Sequence, residues 1–395
     1  MVLVLLATTG WAAQRRAAPD PLTAALKEWR AGTLAGRPLP APDAPPHVLA
    51  RFFGSLTAVE RDRLVRRYPL AVGNLGGAPV SLRYRANRVA LAQAREVQRR
   101  RMGDRRLTAL GRREAGRRMH RYESMLRPGR QILAFDPSGA GRAAEVFGGL
   151  ERARRVTVVV PGVDTGILNF ERTNGARTAP SGMARALYEA ELAADPGGRD
   201  AVVAWADYTA PDGIGVDAAS ARLAARGAPR LRALALSLPG DSRLTLVCHS
   251  YGSVVCGLAA RRLPARVTDI VVAGSPGVRA DRAADLGTRA RVWATRDAGD
   301  WIEDVPHLEV GGFGHGADPV SPGFGARVLS AAGARGHGGY FEPGTASLRN
   351  FAAIGVGAAG WVTCADGADC TVGLRRGGRP ARACPGPGGT APYGV

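Results

Sequence analysis

The spacing of hydrophobic positions changes near residue 130. Before it, arginine-dense segments without long apolar runs predict helices; after it, short apolar runs alternate with longer amphipathic segments. The run Val156–Val160 is β-branched throughout and apolar except for Thr157, which is typical of a parallel strand covered on both faces. Strands alternating with helices at this spacing predict an α/β fold with a mostly parallel sheet and helices on both faces.

The pattern also predicts where the individual elements lie. The predicted strands of the sheet are 131–135, 145–150, 156–160, 201–205, 244–248, 269–273, 291–295 and 327–332. The predicted helices are 52–68, 83–126 with a break near residue 103, 181–194 capped by Ser181, 217–238, 254–260 and 347–362. Thr57 followed by Glu60 is the signature of a capping box.

Four segments follow from these patterns. Residues 1–47 combine an apolar stretch (1–13) with a Pro/Ala-rich segment that predicts a linker. Residues 48–128 predict a helical N-terminal region rich in arginine, 129–363 the α/β domain, and 364–395 a flexible tail containing cysteines. The apolar stretch is too short to span a bilayer and resembles the core of a signal peptide. We therefore expect a protein that is secreted or tethered to the membrane at the cell envelope.

The chain carries a formal net charge of +20. Its basic residues are almost all arginine, since Lys27 is the only lysine. No zinc spacing, RNA- or DNA-binding motif or ladder of aromatic residues accompanies the charge, so we predict no nucleic-acid partner. Association with an anionic membrane or envelope surface suits the charge better.

The five cysteines predict no metal site, because none of their spacings matches a set of metal ligands. Cys364 and Cys370 lie in a Gly/Asp-rich loop where a disulfide is plausible in an oxidising compartment, and Cys384 follows in the tail. Cys248 and Cys256 lie on predicted core elements, and we expect them to be small buried hydrophobic residues. No motif indicates a cofactor.

A candidate nucleophile lies between an apolar strand and a helix made of small residues. The strand Leu244–Cys248 leads into His249, Ser250, Tyr251 and Gly252. A strand that turns sharply into a helix with serine at the apex is a nucleophile elbow. The usual pattern is G-x-S-x-G, and here Cys248 occupies the first glycine position. We predict that Ser250 is the nucleophile and that Gly252 lets the helix pass the strand closely.

A serine nucleophile needs a base and a carboxylate that orients the base. In this architecture the chain order is serine, acid, histidine. Asp300 and Asp297 both follow the strand 291–295, and we choose Asp300 because an apolar anchor follows it. His337 and His315 compete as the base; His337 is favoured because it comes after the last predicted strand and before the last helix.

The other histidines fit the role of base less well. His249 adjoins the serine, but neighbouring side chains on an extended segment point apart. We expect His249 to pack beneath the turn. His47 and His120 precede the sheet, and His307 follows a proline, which suits structural or surface positions.

An acyl-transfer site also needs two backbone N–H groups that point at the developing oxyanion. The residue after the nucleophile, Tyr251, supplies one. The loop that follows strand 156–160 supplies the other, with Val163 as the best candidate and Asp164 beside it. Gly162 allows the close approach of the backbone.

Several of these motifs together resemble a known family. They are VTVVVPGVDTG at 156–166, CHSYGS at 248–253, AGSPG at 273–277, the Asp300 loop, GHGGYF at 336–341 and, upstream, the 64–91 stretch containing Gly-Asn-Leu. They are similar to a poorly characterised α/β-hydrolase family of actinobacteria, first catalogued as a domain of unknown function. The resemblance covers about residues 50–360. It implies the α/β-hydrolase fold and a triad of Ser250, Asp300 and His337, and Cys248 is the departure from the usual elbow.

Three functions are compatible with these residues. The leading hypothesis is a serine hydrolase that cleaves a carboxylic ester, in a small molecule or a lipid, through an acyl-enzyme. An acyltransferase would use the same groups but exclude water. The third possibility is a non-catalytic envelope-binding protein that retains the fold and binds through its basic helices.

Overall fold

The computed structural model describes residues 20–375. Eleven α-helices occur in this part of the chain, with short 3₁₀ turns between some of them. They are α1 Pro21–Arg30, α2 Pro46–Ser55, α3 Ala58–Arg67, α4 Pro69–Val72, α5 Val80–Gly103, α6 Ala109–Met125, α7 Pro180–Ala194, α8 Val216–Ala219, α9 Arg222–Ser237, α10 Gly252–Ala260 and α11 Ala346–Gly355.

Eight strands form the central sheet. They are β1 Gln131–Asp136, β2 Arg142–Gly148, β3 Arg155–Val160, β4 Asp200–Ala206, β5 Arg243–His249, β6 Val267–Ala273, β7 Arg291–Thr295 and β8 Arg327–Val328. Their order across the sheet is β1-β2-β4-β3-β5-β6-β7-β8. Strand β2 is antiparallel to both of its neighbours, and all other pairs are parallel. The carboxyl ends of β3 to β8 therefore meet at one edge, where ligands bind in open α/β sheets.

Helices cover both faces of the sheet, as the continuous apolar strands predict. Val158 and Val160 lie in a hydrophobic core with residues of α9 and α10, such as Leu231 and Val254. Val159, on the opposite face, lies in a second core with residues of α7 and α11. Burial on both faces explains why these strands lack the alternation of polar and apolar positions.

The N-terminal region has a hydrophobic core of its own, centred on Trp29, Phe53 and Tyr68. The predicted linker in residues 1–47 is therefore wrong from Pro21 onward. Trp29 is fully buried, and its indole N–H donates to the Pro40 carbonyl at 2.8 Å. Two of the prolines in this segment, Pro21 and Pro46, stand at the first turns of α1 and α2, where proline is tolerated because its missing N–H is not needed.

Several predicted elements are correct in kind but differ in extent. The helix expected over 52–68 is two helices, because Leu56 is extended and Thr57 caps α3 with Glu60 in the predicted capping box. The break near residue 103 is confirmed between α5 and α6. Four other predicted segments are shorter, shifted or interrupted: 145–150 (strand 142–148), 217–238 (α8 and α9), 327–332 (strand 327–328) and 347–362 (helix 346–355).

Helix α7 begins one residue before the predicted start, and its N-cap is Ala179 rather than Ser181. The Ser181 hydroxyl donates instead to the buried Glu145 carboxylate at 2.7 Å. A buried carboxylate needs such donors, and this contact takes Ser181 away from capping.

Two disulfides are present in the described residues. Cys364 and Cys370 are bonded to each other, one of the pairings that the sequence left open, while the rest of the predicted tail, including Cys384, lies outside the described residues from 376 onward. The bond Cys248–Cys256 contradicts the expectation that these two cysteines are merely small hydrophobic residues. The strand-turn-helix geometry brings their side chains together although both belong to the core. Within residues 20–375, no helix has the length and apolar character needed to cross a membrane.

Candidate active site

The turn that carries Ser250 has the geometry of a nucleophile elbow. Ser250 follows the last residue of β5, and α10 begins two residues later at Gly252. Its φ angle is 54°, in the left-handed region that is costly for a residue with a side chain. The Ser250 N–H donates to the Ala273 carbonyl at 3.0 Å, which holds the strained residue at the carboxyl end of the sheet.

The crossing of helix and strand at the elbow requires a residue without a side chain at position 252. A Cβ atom added to Gly252 would lie 2.3 Å from the carbonyl oxygen of Val160 and 2.6 Å from that of Pro161. Real side chains do not tolerate such distances. Gly252 is therefore fixed by the close approach of α10 to the end of β3, as predicted.

Cys248, at the position usually taken by the first glycine of the elbow, forms a disulfide that constrains the turn. Cys248, just before the turn, is bonded to Cys256 on α10, and both are fully buried. The Ser253 hydroxyl also donates back to the Cys248 carbonyl at 3.2 Å. The strand end and the first turns of the helix are thus joined by a covalent bond and a hydrogen bond.

The structure brings His337 and Asp300 together. His337 Nδ1 lies 2.8 Å from Asp300 Oδ1 and 3.1 Å from Oδ2. The carboxylate also accepts the Tyr340 hydroxyl at 2.5 Å and the Ile302 N–H at 3.0 Å. Although burial opposes it, the hydrogen bonds from His337, Tyr340 and Ile302 lower the pKa of Asp300 below its ordinary value. Asp300 is therefore ionised at neutral pH and fixes the proton of the imidazole on Nδ1.

The other ring nitrogen, His337 Nε2, is buried and has no hydrogen-bond partner among the described residues. Ser250 and His337 consequently are not hydrogen bonded to each other in this structure. The two residues are nevertheless attached to adjacent parts of the sheet edge: a Cβ atom added to Gly274 would lie 3.2 Å from His337 Nδ1, and Ala273 accepts the Ser250 N–H. Hydrogen bonds between serine and base are often long in unliganded sites.

Asp297, the alternative acid, has a different position. Its Oδ2 accepts the N–H of Gly336 at 2.8 Å and of Gly299 at 3.2 Å. The Asp297 N–H in turn donates to the Tyr340 hydroxyl oxygen at 3.0 Å. Asp297 thus holds the backbone next to His337, and no contact with the imidazole is present.

His249 lies under the elbow, as expected, but it also contacts His337. Its Nε2 donates to the His337 carbonyl at 2.7 Å, and the two ring centroids are 4.8 Å apart. Burial, together with the neighbouring His337, lowers the pKa of His249 to about 3. The ring is therefore neutral near pH 7.

His315, the alternative base, faces elsewhere. Its Nε2 donates to the Ala218 carbonyl at 2.7 Å, and its ring packs edge-on against Tyr251 with centroids 5.7 Å apart. Burial lowers the pKa of His315. These contacts give it a supporting position between two loops.

The two predicted oxyanion donors lie on segments that meet at Gly162. A Cβ atom added to Gly162 would lie 2.9 Å from Ser250 Oγ and 3.2 Å from the Tyr251 nitrogen. The space next to Gly162 therefore borders both Ser250 Oγ and the backbone nitrogen of Tyr251. Among the described residues, neither the Val163 N–H nor the Tyr251 N–H donates a hydrogen bond, whereas the Asp164 N–H is occupied by the Pro211 carbonyl at 2.8 Å.

Two tyrosines that contact the site, Tyr340 and Tyr208, carried no prediction, and Trp301 was expected only as an apolar anchor after Asp300. Tyr340 donates to Asp300, Trp301 packs on His337 with ring centroids 4.7 Å apart, and the Tyr208 hydroxyl donates to the Pro161 carbonyl at 2.6 Å. Tyr340 and Trp301 are close in sequence to the predicted base and acid, which was the available signal. Tyr208 follows β4, and only the sheet order brings it to the loop after β3.

Comparison with known proteins agrees with this architecture. Residues 136–310 match the family model described as "Alpha/beta hydrolase". An uncharacterized protein of Mycobacterium tuberculosis is 27% identical over 389 residues, an alignment that covers 81% of this chain and 57% of the relative. An uncharacterized protein of Mycobacterium bovis is 35% identical over 171 residues, covering 40% of this chain and 62% of the relative. The chain thus spans about three fifths of the length of these relatives.

Solved structures with similar chains include a 2,6-dihydroxy-pseudo-oxynicotine hydrolase, with 11% identity, a TM-score of 0.31 and coverage of 72% of this chain and 83% of that one. A thermostable carboxyl esterase from Bacillus coagulans has 17% identity, a TM-score of 0.24 and coverage of 40% and 47%. These values are too low to support an argument about function. The fold assignment rests on the family match and on the strand order. The chain has the α/β-hydrolase fold, and its predicted resemblance to an actinobacterial α/β-hydrolase family of unknown function is confirmed.

Proposed function

We propose that this protein is a serine hydrolase that cleaves carboxylic esters through an acyl-enzyme. One observation carries the proposal: a serine strained at φ 54° on a strand-helix turn lies at the same sheet edge as a histidine whose Nδ1 is bound to a buried carboxylate. Backbone strain at a serine destabilises the fold, and such strain is typical of functional sites. A histidine oriented by an aspartate supplies that base.

The proposed reaction begins with attack of Ser250 Oγ on the ester carbonyl carbon. His337 Nε2 takes the hydroxyl proton as the bond forms, and the N–H groups of Val163 and Tyr251 donate to the oxyanion. The tetrahedral intermediate then expels the alcohol, which receives the proton from His337. Water, deprotonated by the same Nε2, then attacks the acyl-enzyme. As the acyl–Oγ bond breaks, His337 returns the proton to Ser250 Oγ, and the carboxylic acid leaves.

Asp300 has two roles in this scheme. By accepting the Nδ1–H it leaves Nε2 unprotonated and therefore basic, and its negative charge stabilises the imidazolium that forms during attack. Tyr340 and the Ile302 N–H keep the carboxylate in place. The absence of a partner for Nε2 fits a group whose partner is the serine hydroxyl of the reacting complex.

Labelling with a fluorophosphonate probe tests the nucleophile. We expect folded wild-type protein to be labelled, Ser250→Ala to be unlabelled, and Ser253→Ala, a change on the same turn, to retain labelling. If the folded wild type is not labelled, the proposal is refuted and the non-catalytic alternative is favoured.

Hydrolysis of p-nitrophenyl acetate tests the base. His337→Ala should reduce kcat by at least ~10³-fold, as the loss of a triad member does. His315→Ala is the matched control, because His315 contacts Tyr251 but not the acid. Retention of activity by His337→Ala would refute its assignment.

The cellular location stays a proposal too. The disulfide Cys364–Cys370 and the buried disulfide Cys248–Cys256 favour an oxidising compartment, in line with a secreted or envelope-tethered protein. The apolar residues 1–13 that suggested export lie outside the described residues. Detection of the protein in the culture fluid or envelope fraction of its source organism would test the location.

A further inference from the structure

Large apolar side chains are exposed on two loop segments beside the candidate site. Of the thirteen exposed large hydrophobic residues in the described part of the chain, six lie in these segments. We call them the apolar rim: Ile214 (72% exposed), Val216 (72%), Trp301 (43%), Leu308 (51%), Val310 (69%) and Phe313 (52%). Exposed apolar groups concentrated in this way indicate a binding surface.

The two segments of the rim are joined to each other. Phe313 forms an antiparallel bridge with Ser220, and His315 donates to the Ala218 carbonyl. Val310 and Phe313 belong to a small hairpin, 309–310 paired with 313–314, that is not part of the central sheet. The hairpin and the segment 213–220 thus form one continuous structure.

The rim is also attached to the residues of the candidate active site. Asp164, next to Val163, binds the segment before Ile214 twice: its N–H donates to the Pro211 carbonyl and its Oδ1 accepts the Gly213 N–H, both at 2.8 Å. The Tyr251 hydroxyl donates to the Ser220 carbonyl at 2.8 Å. Trp301 packs on the His337 ring. Both proposed oxyanion loops and the base therefore contact segments that carry the rim.

The charge of these segments is opposite to that of the chain. Residues 207–221 contain three Asp, and residues 297–314 contain five Asp or Glu, while neither segment has a Lys or Arg. The chain as a whole has a formal net charge of +20. Arginines outside these segments balance part of this charge, since Asp217, Glu303 and Glu309 are paired with Arg222, Arg296 and Arg279. With its charges paired in this way, the rim suits an uncharged apolar group.

We propose that the apolar rim binds the long aliphatic acyl chain of an uncharged ester whose carbonyl is placed at Ser250. This inference rests on the proposed function, and it adds the substrate class. Each methylene buried on the rim in the transition state would increase kcat/KM by up to roughly fourfold. Short esters reach Ser250 without touching the rim and gain nothing from it.

The test compares p-nitrophenyl acetate with p-nitrophenyl dodecanoate below its aggregation limit. For the wild type we expect kcat/KM at least ~10-fold higher on the dodecanoate. Val310→Ser combined with Phe313→Ser should lower kcat/KM by ~10-fold on the dodecanoate and less than ~2-fold on the acetate. Leu110→Ser, at a position 67% exposed on α6, is the matched control and should change neither value.

The outcomes separate this inference from the proposed function. If the wild type is labelled at Ser250 by fluorophosphonate but shows no preference for chain length, or if the double variant loses both esters equally, the rim inference is overturned and the hydrolase proposal stands. If sedimentation velocity shows a dimer that the double variant abolishes, the rim is an interface between two copies and the inference is likewise overturned. If neither ester is cleaved and no label is taken up, the proposed function itself fails.

Discussion

The two halves of the candidate site are held in place by different means. Ser250 lies between a central strand and a helix, and its position is fixed by the sheet, the close packing at Gly252 and the Cys248–Cys256 disulfide. Asp300 and His337 lie in segments that consist of turns and short 3₁₀ helices. Side-chain hydrogen bonds from Asp297, Tyr340 and His249 hold them.

This difference shows how one site can be rigid for two physical reasons. The elbow is as stable as the core of which it is a part, so that disturbing it disturbs the fold. The segments that carry Asp300 and His337 depend on a few polar contacts. Single substitutions there should therefore shift the imidazole while the sheet stays intact. Substitutions on the two sides of the site should thus differ in their effects.

The largest effect is expected for the two aspartates of the segment that carries Asp300. Asp300→Ala should lower kcat on p-nitrophenyl acetate by ~10⁴-fold, because the imidazole loses its orienting carboxylate. Asp297→Ala should lower it by only ~10-fold, because it loosens the backbone at Gly336 without touching the ring. The reverse order of effects would assign the acid to Asp297.

On the elbow side, Gly162→Ala should block the space beside the nucleophile. The added methyl would lie 2.9 Å from Ser250 Oγ and 2.6 Å from its Cβ, so we expect a ~10²- to 10³-fold loss of kcat/KM. Gly149→Ala is the control, since a Cβ atom there meets nothing within 4 Å. Normal activity of a folded Gly162→Ala enzyme would show that the oxyanion lies elsewhere.

The disulfide of the elbow should contribute to both stability and activity. Closing a loop with a separation of 8 residues is worth ~2.5 kcal/mol in the chain-entropy model, so we expect Cys248→Ala with Cys256→Ala to lower the free energy of unfolding by at least this amount. The rate of fluorophosphonate labelling of the folded variant should also be lower than that of the wild type. Cys364→Ala with Cys370→Ala, at a separation of 6, should lower stability by ~2 kcal/mol without slowing the labelling.

Equal labelling rates in the two double variants would contradict the view that the elbow disulfide shapes the nucleophile. Unfolding in guanidinium chloride, followed by circular dichroism, gives the two free energies.

The smallest effect concerns the pH dependence of stability at His249. Its pKa is about 3 in the folded protein and roughly 6.5 when unfolded. Below pH ~6.5 the unfolded chain takes up a proton that the folded protein does not, so stability is lost as the pH falls, down to pH ~3. His249→Gln removes this titration and can still donate to the His337 carbonyl.

The wild type should therefore lose about 2 kcal/mol more than His249→Gln between pH 7 and pH 5, as measured by denaturant unfolding at both values. His315 and the carboxylates contribute equally to the pH dependence of the free energy of unfolding in both proteins, so their contributions cancel in the difference. Parallel stability curves for the two proteins would mean that His249 is charged, or solvated, in the folded state.

The sequence by itself determined the sheet, the elbow and the chemical classes of the proposed site. Runs such as Val156–Val160 are almost entirely apolar because both faces of the sheet are covered. Ser250 is conspicuous because a strand, a serine, a glycine and a helix follow one another along the chain. These signals are local, so periodicity and spacing record them. The short separation of Cys364 and Cys370 made a disulfide plausible in this loop, but the sequence left open whether Cys384 takes part.

The tertiary structure decided what depends on contacts between distant segments. The fold places Asp300 against His337 and lets Asp297 accept the Gly336 N–H. It also brings His249 to the His337 carbonyl and pairs Cys248 with Cys256. The segment predicted as a proline-rich linker contains a helix in which Trp29 is buried. None of these follows from composition, because a proline at the first turn of a helix and a proline in a linker look alike in sequence. The choice between neighbouring aspartates is likewise a matter of a few ångströms, which only packing sets.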